Sequence, residues 1–365
     1  MGICSSEEGQ PSHHGRKPDK GNGRNKRGGE VRLMLIGPAQ SGKSTFKKQL
    51  LRIHNGDLDV KARRDYAEAV NVNIRDAIQG LINISRTYGN GMNNSKLAYD
   101  KSLEPCAEKV MQYFKVNDEG RISREIGELI SQIWEDPSIK ACYKDIDDPE
   151  YNLPDSTTYF MAEINRICQS GYIPTMEDII RVRWTTTGAP SESFEFAGYT
   201  VTLVDLGGQL SERRKWNRCI EDSKGATAVL FLGSLSGFHK KCIENQGITQ
   251  LEEAFEIFKE FVPKLDENTH VILILNKFDL FREEIGNRDI TDCPLLKDYK
   301  GDLRNTETTL NFIQHKFYQL YQEMRPGSLM HSHASDATHE DVVQQIFWDI
   351  TDSVLRFSLK NSGFI

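Results

Sequence analysis

Val31-Arg-Leu-Met-Leu-Ile-Gly-Pro-Ala-Gln-Ser-Gly-Lys-Ser44 decides how this chain folds. Val31–Ile36 is a short apolar run of the kind that forms a buried strand. Gly37–Ser44 follows at once with the spacing G-x-x-x-x-G-K-[ST]. Phe46, Leu50 and Ile53 then recur at helical spacing, so the glycine-rich loop joins a strand to a helix N-terminus. In that setting glycines let the backbone turn until successive N–H groups and the helix N-terminus point at phosphate oxygens. The candidate phosphate-contacting residues are Gln40, Ser41, Gly42, Lys43, Ser44 and Thr45. Lys43 would reach the β- and γ-phosphates, and the Ser44 hydroxyl can ligate Mg²⁺.

Three further segments bear on which nucleotide such a loop would hold and what would happen to it. Val271–Leu275 forms another apolar strand candidate and runs directly into Asn276-Lys277-Phe278-Asp279. A carboxylate at Asp279 can accept from both N1–H and the 2-amino group of guanine. Adenine lacks that donor pair and would leave a buried carboxylate unpaired. Asn276 and Lys277 would brace the loop and cover the base. Between these motifs lies Val201-Thr-Leu-Val-Asp205-Leu-Gly207-Gly208-Gln209, a strand ending in a carboxylate, then a flexible glycine pair and a glutamine. Asp205 would hold Mg²⁺ through water, the Gly208 N–H would sense the γ-phosphate, and Gln209 would orient the attacking water. Upstream, Arg183 supplies a cation able to neutralise a transferring phosphoryl group, and Thr186 a hydroxyl to complete the magnesium shell.

The rest of the chain bounds this reading. Its 365 residues exceed what one small core usually holds and suggest two domains. Hydrophobic residues at 38% and charged residues at 27% fit a globular chain, and no apolar run approaches the roughly 18 residues of a membrane span. Seven cysteines with no Cys-x-x-Cys pair argue against a disulfide scaffold or a zinc ribbon. No apolar signal peptide opens the chain, so an intracellular protein is expected. The net charge of -7 is unevenly spread: residues 1–29 hold six Lys/Arg against three Asp/Glu. A basic head on an acidic body argues against nucleic-acid binding. Residues 1–29 are also rich in glycine and lack helical periodicity, so a disordered tail is expected. Its first residues, Met1-Gly2-Ile3-Cys4-Ser5-Ser6, fit the N-myristoylation pattern with Gly2 as acceptor and Cys4 placed for a palmitoyl chain. One myristoyl chain binds membranes marginally; a second chain or a basic run completes the anchor, and this tail offers both. The expected location is the cytoplasmic face of the plasma membrane, as a peripheral, lipid-anchored protein on the inner leaflet.

In this order, Gly37–Ser44, Arg183–Gly188, Asp205-Leu-Gly-Gly-Gln-Leu-Ser-Glu-Arg-Arg-Lys-Trp216 and Asn276–Asp279 resemble a heterotrimeric G-protein alpha subunit, across roughly residues 30–365. Tyr172-Ile-Pro-Thr175 and the C-terminal Leu359-Lys-Asn-Ser-Gly-Phe-Ile365 belong to the same likeness. The resemblance implies an α/β fold: a Ras-like P-loop GTPase domain with a mostly parallel sheet (30–57 and 181–365), interrupted by an inserted all-helical domain (58–180). It implies binding of GTP and GDP with Mg²⁺, and hydrolysis of GTP through Gln209 and Arg183. It further implies that Asp155-Ser156 face the nucleotide from the helical domain. Ser335-Asp-Ala-Thr338 stands where the family has Thr-Cys-Ala-Thr, so the Ala337 N–H would meet guanine O6. By the same likeness Ser362–Ile365 is a tail contacting a membrane receptor. Ser362 replaces the cysteine that pertussis toxin modifies in some relatives, so that modification is not expected.

Strands are expected near 31–36, 192–197, 200–205, 227–232, 271–276 and 328–334. A last helix over roughly 340–360 should bury Val343, Ile346, Phe347, Ile350, Val354 and Phe357. Several positions depart from the family pattern. Ala39 and Gln40 replace Gly-Glu in the phosphate loop, Leu210 replaces an arginine, and Leu232–His239 lacks acidic residues. Residues 7–29 hold no Val, Ile, Leu, Met, Phe, Tyr or Trp, so they lack the apolar stripe of a docking helix, and weak or absent beta-gamma association is expected. The methyl of Ala39 crowds the place of the γ-phosphate, so slow intrinsic hydrolysis is expected. The competing readings are a GTP-binding module with little or no turnover, and a P-loop ATPase or kinase, which Asn276–Asp279 disfavours. Effector, receptor identity and GTPase-activating regulator are not legible.

Overall fold

The computed structural model describes residues 29–117, 121–151, 153–184, 186–222 and 226–361. The acyl sites at Gly2 and Cys4, the expected disordered tail and the C-terminal Ser362–Ile365 lie outside the described residues. Strand β1 (Glu30–Ile36) is apolar from Leu33 onward because both its faces are covered there: Leu33 and Leu35 enter one core, Met34 and Ile36 another. It leads through the glycine-rich loop into α1 (Lys43–Asn55).

The chain then enters a unit of residues 57–184 built from helices. These are α2 (Val60–Arg64), α3 (Ala67–Ile84), α4 (Glu104–Val116), α5 (Arg124–Glu135), α6 (Pro137–Asp145), α7 (Thr157–Ala162), α8 (Ile164–Ile167) and α9 (Met176–Arg181). Val70, Ile74, Ala77, Ile78 and Leu81 recur at helical spacing along α3 and form the spine of its core. Short polar signals set the helix starts: Ser123 caps α5, Asp136 caps α6, and Thr175 with Asp178 makes a reciprocal capping box on α9.

A second unit holds residues 29–56 together with 186–361. After α9 it continues with β2 (Ser191–Phe196), β3 (Tyr199–Asp205), α10 (Leu210–Arg213), α11 (Trp216–Asp222), β4 (Ala228–Ser234), α12 (Gln250–Phe261), β5 (His270–Asn276), α13 (Phe278–Glu284), α14 (Thr306–Met324), β6 (His331–Ala334) and α15 (Glu340–Asn361). The sheet order is β2-β3-β1-β4-β5-β6, and every pair is parallel except β2 with β3. One face packs on α12 and α14 through Phe258, Ile313 and Phe317; the other packs on α1 and α15 through Phe46, Leu50, Phe347 and Ile350. Such two-sided burial is why β4 and β5 are continuous apolar runs.

One expectation needs correction. The last strand does not span 328–334: only His331–Ala334 pair with Ile272–Leu275, and Leu329 is left exposed. Residues 181–184 cluster with the helices. Val182 is buried in the helical core, and the Asn73 side chain bonds the Arg183 backbone. In α15, Val343, Ile346, Phe347, Ile350 and Val354 are buried as expected. Among the described residues no helix is long and apolar enough to cross a membrane.

Candidate functional site

The loop Gly37–Gly42 leaves β1 at the edge where its two neighbouring strands also end. Gly42 has φ 90°, and a Cβ there would stand 2.0 Å from Asn276 Nδ2. Only glycine fits. Asn276 Nδ2 donates to Ser41 O at 2.9 Å, which ties the loop to the end of β5 as the sequence suggested. Lys43 is buried, and its ammonium donates to Pro38 O at 2.6 Å and Gly37 O at 2.9 Å. Burial pulls its pKa down to about 8, against the raising effect of Asp205. A cation wrapped in its own loop's carbonyls can exchange them for phosphate oxygens at little cost in desolvation. Gln40 adopts φ 61° without being glycine.

Beside the loop three oxygen-bearing side chains converge. Ser44 Oγ and Thr186 Oγ1 are 2.7 Å apart, and Asp205 Oδ2 accepts from Ser44 at 3.1 Å and from Thr186 at 3.3 Å. Asp205 is fully buried, yet its Oδ1 has no hydrogen-bond partner. A buried ionised oxygen left over beside two hydroxyls suits a hard, oxygen-seeking divalent cation such as Mg²⁺. The donor set therefore fits the magnesium the sequence implied.

Gly208 lies against the loop so closely that a Cβ would meet Lys43 Nζ at 2.5 Å and Pro38 O at 2.7 Å. Gln209 follows it, exposed, at the start of α10. Four residues hold this segment. Arg213 Nε donates to Gly208 O at 2.9 Å, and its guanidinium pairs with Glu253 and, at 3.3 Å, with Glu244. Glu244 also accepts the Leu210 N–H at 2.8 Å. Glu212 accepts the Gly188 N–H at 2.7 Å and pairs with Lys215. Arg213 and Glu212 stood within the quoted motif, whereas Glu244 and Glu253 come from a distant loop and helix with no local pattern to mark them.

At the other end of the site, Lys277 takes a left-handed conformation, φ 61°, and opens α13, which carries Asp279. Burial raises the Asp279 pKa above the usual carboxylate value, and the neighbouring charge of Asp336 adds to it. Ala337 closes the same end of the site. Its N–H donates to Asn276 Oδ1 at 3.0 Å, so Asn276 spends its carboxamide on two backbones, Ser41 and Ala337, at once. Asp336 in turn accepts from Thr338 N and Oγ1 and bonds His339, which fixes the turn before α15.

The helical unit carries the other candidates. Asp155 O accepts from Tyr143 Oη at 3.0 Å, and Ser156 immediately precedes α7. Arg183 follows α9, its N–H and C=O both bonded to Asn73, and the carboxylates of Asp155 and Asp76 act on its charge.

A nucleotide has a candidate place for its phosphates at the head of α1 and for its base beside Asp279, both on one edge of a mostly parallel sheet. Fold and site together define a Ras-like P-loop nucleotide-binding protein with a helical insert. Within that class the chain belongs to the G-protein alpha subunits, whose family model matches residues 10–354. It is accordingly a guanine-nucleotide-binding signalling subunit of a family of GTPases.

Proposed function

We propose that this subunit is a membrane-anchored switch that hydrolyses GTP slowly and couples a membrane receptor to an effector. The observation that carries the proposal is the convergence of Ser44, Thr186 and Asp205 beside Lys43 and the Gly208 backbone. On binding GTP, Lys43 trades the carbonyls of Gly37 and Pro38 for β- and γ-phosphate oxygens. Backbone N–H groups from Gln40 to Thr45 take the remaining phosphate charge. Ser44 and Thr186, with Asp205 acting through water, would hold Mg²⁺, which would supply positive charge against that developing on the phosphates.

Gly208 N–H donates to the γ-phosphate, and Gln209 orients water for in-line attack on the γ-phosphorus. Arg183 stabilises the charge as the bond from phosphorus to the bridging oxygen breaks. The products are GDP and inorganic phosphate. Asn276, Lys277, Asp279 and Ala337 select and enclose guanine, and Asp155 and Ser156 contribute from the helical unit. Ala39 and Gln40 slow the chemical step while leaving nucleotide binding intact. Acyl chains at Gly2 and Cys4 hold the protein on the inner leaflet, and the C-terminal tail meets the receptor. Beta-gamma dimers bind weakly or not at all, because residues 7–29 lack the apolar residues a docking helix needs.

Competition against labelled GTP tests the binding half of this reading. Unlabelled GTP and GDP should displace the label and ATP should not, and removing Mg²⁺ should weaken GTP more than GDP. Equal displacement by ATP would overturn guanine selection by Asp279. Tight GTP binding with no phosphate released would favour the persistently GTP-bound module instead.

A further inference from the structure

Asn73 is polar where α3 is otherwise apolar. Val70, Ile74, Ala77 and Ile78 on the same face are buried in the helical core, and Asn73 sits among them at 5% exposure. A buried carboxamide costs free energy unless its polar atoms are used. Here they are used on two backbones. Oδ1 accepts the Arg183 N–H at 2.8 Å, while Nδ2 donates to Arg183 O at 3.0 Å and to Ala69 O at 2.8 Å.

Arg183 lies in neither helix nor strand, so no ladder sets its backbone. The planar amide of Asn73, 110 positions earlier in the chain, grips both main-chain groups of that one residue, as a neighbouring strand would. The approach is fixed as well. Val182 is buried and its N–H closes α9 onto Asp178 O at 2.8 Å. The fully buried Asp178 carboxylate is held by Arg166, Tyr159 and Tyr172. Position is therefore dictated up to the Cα of Arg183, the point from which its side chain departs.

We propose that Asn73 is a positioning residue for Arg183: it fixes the point from which the guanidinium reaches and acts on the reaction only through it. The inference rests on Arg183 being the catalytic cation, as read above. Misplacement of a reacting group by about 1 Å can cost on the order of 100-fold in rate, so a lost backbone grip should be visible in hydrolysis.

The test uses the full chain with Asn73→Ala, Arg183→Ala and the double variant. Three quantities are read: single-turnover hydrolysis of preloaded GTP, affinity for GTPγS, and binding of GDP with aluminium fluoride, a mimic of the phosphoryl group in transfer. Asn73→Ala should slow hydrolysis about tenfold or more and lose the aluminium fluoride complex, with GTPγS affinity within about twofold of the parent. The double variant should be no slower than Arg183→Ala alone, because the grip has nothing left to position. Should Asn73→Ala fail to fold, Asn73→Ser, small and still polar, is measured against the same expectations. Parental hydrolysis in the Asn73 variant beside a slow Arg183→Ala overturns the proposal, and so does a double variant slowed by the product of the two single effects. Parental hydrolysis in Arg183→Ala would instead remove the catalytic reading of Arg183, and Asn73 with it.

Discussion

Asp279 is costly to the empty protein, and its reading as the guanine selector follows from that cost. Burial and the Asp336 charge raise its pKa, so ionising it is unfavourable until a ligand supplies donors. Guanine does, with two N–H groups aimed at one carboxylate. Asp279→Asn should therefore weaken GTP binding by about 2–4 kcal/mol, through loss of a charge-assisted pair and a mismatched buried amide, and should improve xanthosine triphosphate relative to GTP. Unchanged GTP affinity would remove Asp279 from the base site. The pH dependence has a definite sign. With its folded pKa raised, the free protein holds a proton that the unfolded chain releases, so its stability rises as pH falls through that window. GTP affinity moves the other way, because the base needs the carboxylate. Titrating GTP affinity alongside the melting temperature of the free protein should show the two trends diverging, with the affinity loss shifted to lower pH in Asp336→Asn. At this scale Asp279 was legible because its tetrapeptide follows a strand. Asp336 was not, because only the fold brings it within reach of Asp279, and the role of Asn73 was hidden for the same reason.

Among elements, the phosphate loop carries the clearest departure from its relatives. Its backbone is committed: Gly42 has no room for a side chain, Asn276 holds Ser41, and Lys43 is tied to Pro38 and Gly37. A loop so tied has little slack to move the Ala39 methyl away from an arriving γ-phosphate, and Gln40 offers no carboxylate to pair with a neighbouring cation. Ala39→Gly combined with Gln40→Glu should thus raise single-turnover hydrolysis by about tenfold or more without changing GTP affinity. A double variant no faster than the parent would show that the loop absorbs the methyl.

The strands around this loop were readable from sequence because Leu33–Ile36, Ala228–Leu232 and Val271–Leu275 are covered on both faces and run apolar. The four-residue β6 was overextended. Edge position and the polar His331-Ser-His333 leave it no such signature, and only its pairing with β5 defines it. No local pattern marks the hold on Arg183, whose backbone is bonded by Asn73 of α3, far away in sequence.

For the whole molecule, the chain divides into two compact units: a helical one around a core of its own, and one whose sheet carries a core on each face. The proposed membrane residence rests on Gly2 and Cys4. Gly2→Ala should move the protein into the soluble fraction of cells, whereas Cys4→Ser should weaken residence less and leave it more readily released by salt, since charge is then its second signal. A parent protein found wholly soluble would remove the anchor from the account.

Hydrolysis itself tests the switch most directly. Protein preloaded with γ-labelled GTP is started with Mg²⁺, and phosphate release is followed for the parent, Gln209→Leu and Arg183→Ala. The parent should release up to one phosphate per chain in a slow single exponential, with each variant slower by at least about tenfold at unchanged GTP affinity. Identical release curves for all three proteins, or no release from the parent, would contradict a GTP switch that turns itself off through these two residues.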